Sequence, residues 1–502
     1  DIKPMELPTQ FFLDYAWDPD QWNPENIQDY YTSWSTQIFG ETFAEPVADI
    51  LSRYTKFNAR RKPELLDPET YSLSHYREAE AIVAEYRELE ELAEFIYQDI
   101  PAHLKDAYYQ LVLFPVKACA NLNELYISAA KNRLYASQGR AATHMEALRV
   151  KELFLADSLL TEQYHTELAG GKWNHMMSQT HIAYTYWQQP EQNNIPVTFE
   201  ISLPEIAEMG LAIENSNQAW PGSKEEAILP LYDALNQQEY YIEIFNRGTL
   251  DFNCTINPDV AWIIPSATSL TIDMQERVYL AINWTEVPDG FHTAGIKIEG
   301  PGNVTIPVFV EVDNRLKRSQ LPKEDLFLDM HGTFSMEAEH FSQAIDGEQV
   351  KWHVVPNLGR SGSSMITLPV SAAPSEPGGD SPRLEYQFYA RDTGLFVVSS
   401  YLSPTLNFHN NEGLRYAISI DDEVPVMVNM HQEEAGLWDQ WVAENINIQP
   451  TTIHLSKPGK HTLSWWRVDA GVVLQKIVIQ KNERSDPSYL GPPESIRINP
   501  GA

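Results

Sequence analysis

Between Ser74 and Ile100 the apolar residues recur every three or four positions, through Tyr76, Ala79, Ile82, Val83, Tyr86, Leu89, Leu92, Phe95 and Ile96. Glu78, Glu85, Glu88 and Glu91 fall on the other side. Such a stripe is the buried face of one long helix. The same period governs the chain from Asn23 to about Gly170. Asn23-Pro24-Glu25 and Asp67-Pro68-Glu69 each join a capping side chain, a proline for the first helical position and an acid. Both therefore predict helix starts. Pro101 predicts another start, for a helix running to about Gly139 that Pro115 should kink. A further helix is predicted from Arg140 to Leu168, closed by Gly170-Gly171. Three long helices and two shorter ones give a helical bundle over residues 25–171.

From Val197 the period drops to two. YYIEIFN, LDFNCTI, RVYLAINW, AGIKIEG and VTIPVFVEV alternate, with turn signals at Asn246-Arg247-Gly248 and Pro301-Gly302. This predicts an immunoglobulin-like β-sandwich over 197–325, ending in a polar linker, Arg315 to Lys323. A second set of strands, from SMEAEHF to VVLQKIVIQ, predicts a jelly-roll β-sandwich over 326–482. Its Ser371–Arg383 loop is rich in Pro, Gly and Ser and is expected to be mobile. Residues 483–502 read as a Pro-rich tail without a period. Between the helices and the first sandwich, residues 172–196 form an aromatic connector. KWNHMMSQTHIAYTYWQQP is too aromatic for a loose linker. It reads as a wedge that fixes the angle between domains, or as a sugar-stacking wall of Trp173, Tyr184 and Trp187.

The first residues have another character. DIKPMELP looks like the end of a barrel strand, with Lys3 and Glu6 in the loop that follows, where an α/β barrel carries its chemistry. Residues 1–24 are accordingly read as the end of a catalytic barrel, with part of the active site expected upstream of residue 1. The fold class is multidomain α+β: a barrel remnant, a helical bundle, an immunoglobulin-like sandwich and a C-terminal jelly roll.

Charge changes this picture in one respect. The 502 residues carry a formal charge of −34, which excludes nucleic acid as a partner, because phosphate binding needs basic surface. An acidic substrate would then need its own local group of Lys and Arg. No window of 18 uninterrupted apolar residues occurs, so no membrane span is predicted. Cys119 lies in a helical stretch and Cys254 in a strand stretch, so neither a disulfide nor a thiolate metal site is expected. The N-x-T triplets at Asn253, Asn283 and Asn303 are background.

One loop meets the electrostatic demand. FNARRKPELLD, residues 57–67, gathers Asn58, Arg60, Arg61, Lys62 and Glu64. A fork of Arg and Lys grips a carboxylate through charge-assisted bidentate bonds. The other reading is an ion-pair knot that anchors the bundle, with Arg60 or Arg61 bonded to helix carbonyls. The histidines show no metal spacing, and neither a nucleophile elbow, a P-loop nor a dinucleotide turn occurs. No cofactor is implied. In the second β region MEAEHF is followed by Trp352, Trp438, Trp441, Trp465 and Trp466. An exposed indole there could stack on a sugar, or these side chains could fill the core. Alternation puts Trp465 and Trp466 on opposite faces, so at most one of the two is expected in the core.

DIKPMELP, FNARRKPELLD, the aromatic connector, MEAEHF and SYLGPPES together resemble the carboxy-terminal half of glycoside hydrolase family 115. Its members are xylan α-1,2-glucuronidases that remove glucuronic acid or its 4-O-methyl ether with inversion. The resemblance implies a small α/β domain, an (α/β)8-like barrel, a helical domain, a β domain and a C-terminal sandwich, of which this chain covers the last barrel strand-end onward. It implies that the general acid lies upstream of residue 1. By the same match the DIKP loop and the N-A-R-R-K-P-E loop border a glucuronate pocket, making Lys3, Glu6, Asn58, Arg61, Lys62 and Glu64 its substrate contacts. It further implies glucuronoxylan or a glucuronic-acid-bearing oligosaccharide as partner and an extracellular or periplasmic location; a homodimer is expected because several domains with a large aromatic connector can hold a symmetric interface. A non-catalytic carbohydrate-binding or dimerisation scaffold is the alternative.

Overall fold

The computed structural model describes residues 5–184, 188–432, 436–481 and 488–498. Its first half is helical: α1 (Glu6–Trp17), α2 (Ile27–Phe39), α3 (Glu41–Arg60), α4 (Glu78–Asp99), α5 (Lys105–Tyr108), α6 (Phe114–Gln138) and α7 (Thr143–Thr166). They close round one core that includes Trp34, Val47, Ile82, Leu89, Val116 and Leu125. No helix among the described residues is long and apolar enough to cross a membrane.

Several starts differ from the sequence pattern. Glu6 stands in the first turn of α1, not in a loop after a strand. Leu7 is buried there, and Asp14 accepts a hydrogen bond from Tyr30 Oη (2.8 Å), which fastens α1 to α2. Lys3 lies outside the described residues. Asn23 makes a turn, its side chain accepting the Glu25 amide (2.9 Å), and the helix opens only at Ile27. Asp67-Pro68-Glu69 starts no helix. The Asp67 carboxylate takes the Glu69 amide (2.8 Å) and the Thr70 hydroxyl (3.1 Å), a local turn that competes with helical bonding. The kink expected at Pro115 is a single π-helical turn, Tyr109–Leu113, just before it. A proline cannot donate to the carbonyl one turn back, and a wider turn accommodates that loss.

The second part is a pair of sheets. One orders its strands Met209–Ile213, Tyr240–Asn246, Gln275–Ile282 and Ile263–Pro265. The other runs Ala227–Ile228, Thr305–Asp313, Phe291–Glu299, Phe252–Pro258 and Ser269–Ile272. Alternate residues such as Ile242, Val278, Leu280, Ile296 and Val308 meet between them. The third part is a larger pair of sheets. One contains Arg415–Ile420, Gly459–Arg467, Arg383–Ala390 and Leu326–Leu328, and the other Ser364–Leu368, Leu474–Gln480, Gly394–Leu402 and Asn447–Leu455. Cys119 and Cys254 are both buried, free thiols.

Both Trp465 and Trp466 are buried. They do point to opposite faces: Trp465 stacks on Tyr416 inside the sandwich (4.8 Å, 14°), and Trp466 belongs to a small cluster with Ala417 and Val468. The far face is not wet: Arg383 lies over the Trp466 ring (4.7 Å). The Ser371–Arg383 loop was expected to be mobile. It is tied to the adjoining strand by Ser375 N–H to the Val468 carbonyl (3.0 Å) and by Arg467 Nη1 to the Ala373 carbonyl (2.6 Å). Trp441, Trp465 and Trp466 are buried in this sandwich, and Trp352 and Trp438 are half-buried.

The end of the chain is no loose tail either. Arg497–Ile498 pairs antiparallel with Leu326–Phe327. The buried Glu78 carboxylate, at the start of α4, accepts Ser488 Oγ (2.9 Å) and the amides of Tyr489 (3.1 Å) and Leu490 (2.6 Å), besides that of Ser72 (2.7 Å). Tyr489 and Leu490 pack on the helical core.

Candidate functional site

The end of α3 sends neighbouring side chains to different places. Arg60 is buried. It pairs with Glu85 of α4, donates from Nε to the Arg360 carbonyl (2.9 Å), and lies over Phe57 (4.5 Å). Arg61 donates to the Leu65 carbonyl (3.0 Å) and sits over the Tyr489 ring (5.7 Å). Lys62 is half-buried and precedes the short turn Pro63–Leu65, its carbonyl accepting the Leu65 amide (2.9 Å). The arginines of this loop are therefore an anchor that joins helices to the C-terminal sandwich. The expected fork of cations does not face a cavity.

Asn58 and Glu64 do. With Tyr54, one turn before Asn58, they line a cavity of about 550 Å³. Its other walls are α6 (Phe114, Pro115, Cys119), α7 (Asp157, Thr161) and the connector from Met177 to Tyr184, and Met5 borders it. No Lys or Arg occurs among the described lining residues. Of the predicted contacts, the structure thus gathers Asn58 and Glu64, puts Arg61 and Lys62 outside the lining, and opens α1 with Glu6 beside Met5. Tyr184 reaches the cavity, Trp173 packs against the helical core, and Trp187 lies outside the described residues.

The connector keeps its place through side chains. Asn193 Oδ1 accepts the amides of His181 (2.8 Å) and Ile182 (3.1 Å), and Tyr126 Oη accepts that of Ala183 (3.0 Å). Among the described lining residues His181 is the one side chain that can carry a positive charge. Its Nε2 lies 2.8 Å from Asp157 Oδ1 and its Nδ1 3.0 Å from the Gln179 carbonyl. Both neighbours only accept, so both contacts are hydrogen bonds when both ring nitrogens carry protons. Burial pulls the His181 pKa down, but the Asp157 bond and charge outweigh it and leave it raised. His165 has the opposite need. Its Nε2 faces the Met177 amide (3.0 Å) and must accept, which requires a neutral ring. Burial and the neighbouring His175 hold its pKa below the usual histidine value.

Cys119 is close to Asn58 Oδ1 (3.5 Å) and Tyr54 Oη (3.8 Å). Burial pushes its thiol up to about 11. It is a protonated thiol at neutral pH, not a nucleophile. Its S–H occupies Asn58 Oδ1, so the Asn58 amide nitrogen is the donor left for a ligand. No group of three or more His, Cys, Asp and Glu among the described residues is arranged to hold a metal ion. Sequence reasoning missed Asp157, Thr161 and His181 as site residues. The histidines show no metal spacing to draw attention to His181, and an aspartate on a long helix gives no signal.

Two family models match the chain. Glycosyl hydrolase family 115 matches residues 1–65, and the Glycosyl hydrolase family 115 C-terminal domain matches residues 326–494. A comparison with curated proteins gave no significant match. Among solved structures the chain is similar to a family GH115 4-O-methyl-α-glucuronidase with specificity for decorated arabinogalactans, at 16% identity and a TM-score of 0.55, over 96% of this chain and 45% of that one. A family 35 carbohydrate binding module from Clostridium thermocellum aligns with 29% of this chain and 97% of its own length, at 15% identity and a TM-score of 0.21. The first likeness extends to the fold along nearly the whole chain, which spans under half the length of that glucuronidase.

Proposed function

Because this chain belongs to glycosyl hydrolase family 115, we propose that it is the C-terminal portion of an inverting α-glucuronidase. The enzyme removes glucuronic acid or its 4-O-methyl ether from xylan branches, and this portion supplies glycan contacts. The observation that carries the reading is the convergence of Asn58 and Glu64 on one cavity beside the His181–Asp157 pair.

In this reading Asn58 Nδ2 donates to the uronate, Glu64 accepts a sugar hydroxyl, and His181, paired with Asp157 (2.8 Å), holds that aspartate's charge off the uronate. Arg61 and Lys62 hold the loop in position, and Lys3 and Glu6 contact the sugar from the start of the chain. Inversion requires a carboxylic acid and a carboxylate roughly 6.5–9.5 Å apart with water between them. We place that pair outside residues 1–502, and the grip on the uronate orients the anomeric carbon toward it.

The test is a titration of the 502-residue chain with 4-O-methylglucuronic acid, followed by NMR. Weak binding is expected, about millimolar, and it should be lost in Asn58→Ala and Glu64→Gln. Equal binding by both variants would remove the site. Release of uronic acid from glucuronoxylan by this chain alone would contradict the placement of the acid and base.

A further inference from the structure

The other side of α3 borders a second cavity. Tyr54 and Asn58 point one way, whereas Ser52, Thr55, Lys56 and Ala59 lie roughly opposite on the helical wheel and line a space of about 370 Å³. Its volume falls in the range of small-ligand sites. The floor comes from the first helices, with Phe11 and Tyr15 of α1, Trp22, and Tyr31 of α2. The facing wall is the Val355–Leu358 loop of the C-terminal sandwich.

The lining has two kinds of surface. Phe11 and Tyr15 stack on each other (5.7 Å, 22°), and Tyr15 remains 45% exposed. Asn23, Gln28 and Asn357 surround these rings with amides, and Lys56 adds one ammonium. The two walls are fastened together: Asn357 Nδ2 donates to Ser52 Oγ (3.0 Å), and His353 meets Glu25 (3.1 Å). Burial and the adjacent Arg60 hold the Lys56 ammonium below the usual lysine range, against the pull of Glu337, Glu339 and Glu85. Three carboxylates already draw on that charge, which leaves it a weak grip for an acidic ligand. A lipid chain has no use for the amide rim. A pyranose has an apolar C–H face for the ring and hydroxyls at its edge for the amides.

We propose that this cavity is a second glycan-binding site, which takes a neutral stretch of polysaccharide on Tyr15 and Trp22 with Asn357 and Gln28 at the hydroxyls. The proposal rests on the reading that the protein acts on a glycan, but it uses none of the residues assigned to the uronate.

The 502-residue chain titrated with xylohexaose, and separately with a neutral β-1,3-galactohexaose, tests this by calorimetry. Binding of either is expected, weakened about tenfold or more by Tyr15→Ala, an exposed position. Trp22→Phe should weaken it less, and Asn58→Ala should leave it unchanged. 4-O-methylglucuronic acid should bind Tyr15→Ala as it binds the parent chain, so the two sites can fail separately. If neither neutral oligosaccharide binds, or if Tyr15→Ala binds them like the parent chain, the proposal is wrong.

Discussion

The connector and the last residues look alike in sequence, since neither has a hydrophobic period. In the structure they do different work. Residues 488–490 are held by one buried carboxylate, Glu78, and put Tyr489 and Leu490 onto the helical core. Residues 177–184 are held by Asn193, Tyr126 and two histidines and leave a cavity beside them. An irregular segment that ends in apolar side chains over a fixed acceptor becomes core. One whose amides are met by separate side chains along its length becomes the wall of a site.

The contrast is sharpest in its response to substitution. Glu78→Ala leaves two backbone amides and a hydroxyl of the closing segment without their acceptor in a buried place. It should destabilise the protein by about 3 kcal/mol in urea unfolding, without changing uronate binding per folded molecule. A loss below about 1 kcal/mol would mean that the segment is not held as described. Asp157→Ala removes the partner of His181. It should cost about 1–2 kcal/mol and, unlike Glu78→Ala, weaken uronate binding. The His181 ring, followed by NMR, should then titrate at lower pH than in the parent chain. Tyr489→Phe removes a hydroxyl 2.7 Å from the Arg60 carbonyl and should cost about 1 kcal/mol while leaving the cavity intact.

The smallest effect is in pH. His181 has a raised pKa, so its contribution is fully present below about 6.5 and is lost as the pH rises through its higher folded value. His165 has a lowered pKa, so its contribution is present above about 6.5 and is lost as the pH falls through its lower folded value. The connector should be held best between the two values. Hydrogen exchange at the amides of Met177 and His181 should show maximal protection there, while those of Tyr489 and Leu490 should show no such maximum. A monotonic profile at Met177 would undo the assignment of opposed histidines.

What the sequence made legible follows from period. The long stripe from Ser74 to Ile100 became α4, and the alternating runs became strands, because burial of one face is a local signal. Asp67-Pro68-Glu69 misled because an acid that caps a helix can equally close a turn on its own backbone. In the candidate site, Asn58 and Glu64 were found through the density of polar groups in one loop. For Arg60 the same density left two readings open, a carboxylate grip and an ion-pair knot, and its partner Glu85 lies on another helix while its carbonyl acceptor lies 300 residues away. Asp157 and His181 were not found, since what joins them is the path of the connector across α7. The burial of both Trp465 and Trp466 was not legible for the same reason: the 372–373 carbonyls that bond the neighbouring Arg467 lie 95 and 94 residues away in sequence.

The closing segment ties α4, the end of α3 and a strand of the C-terminal sandwich into one piece, through Glu78, the Arg60 carbonyl and the Arg497–Ile498 pairing. Heat should therefore find no seam between the helical layer and that sandwich. In a calorimeter the two ought to melt in a single cooperative peak, and excising residues 488–498 ought to split it.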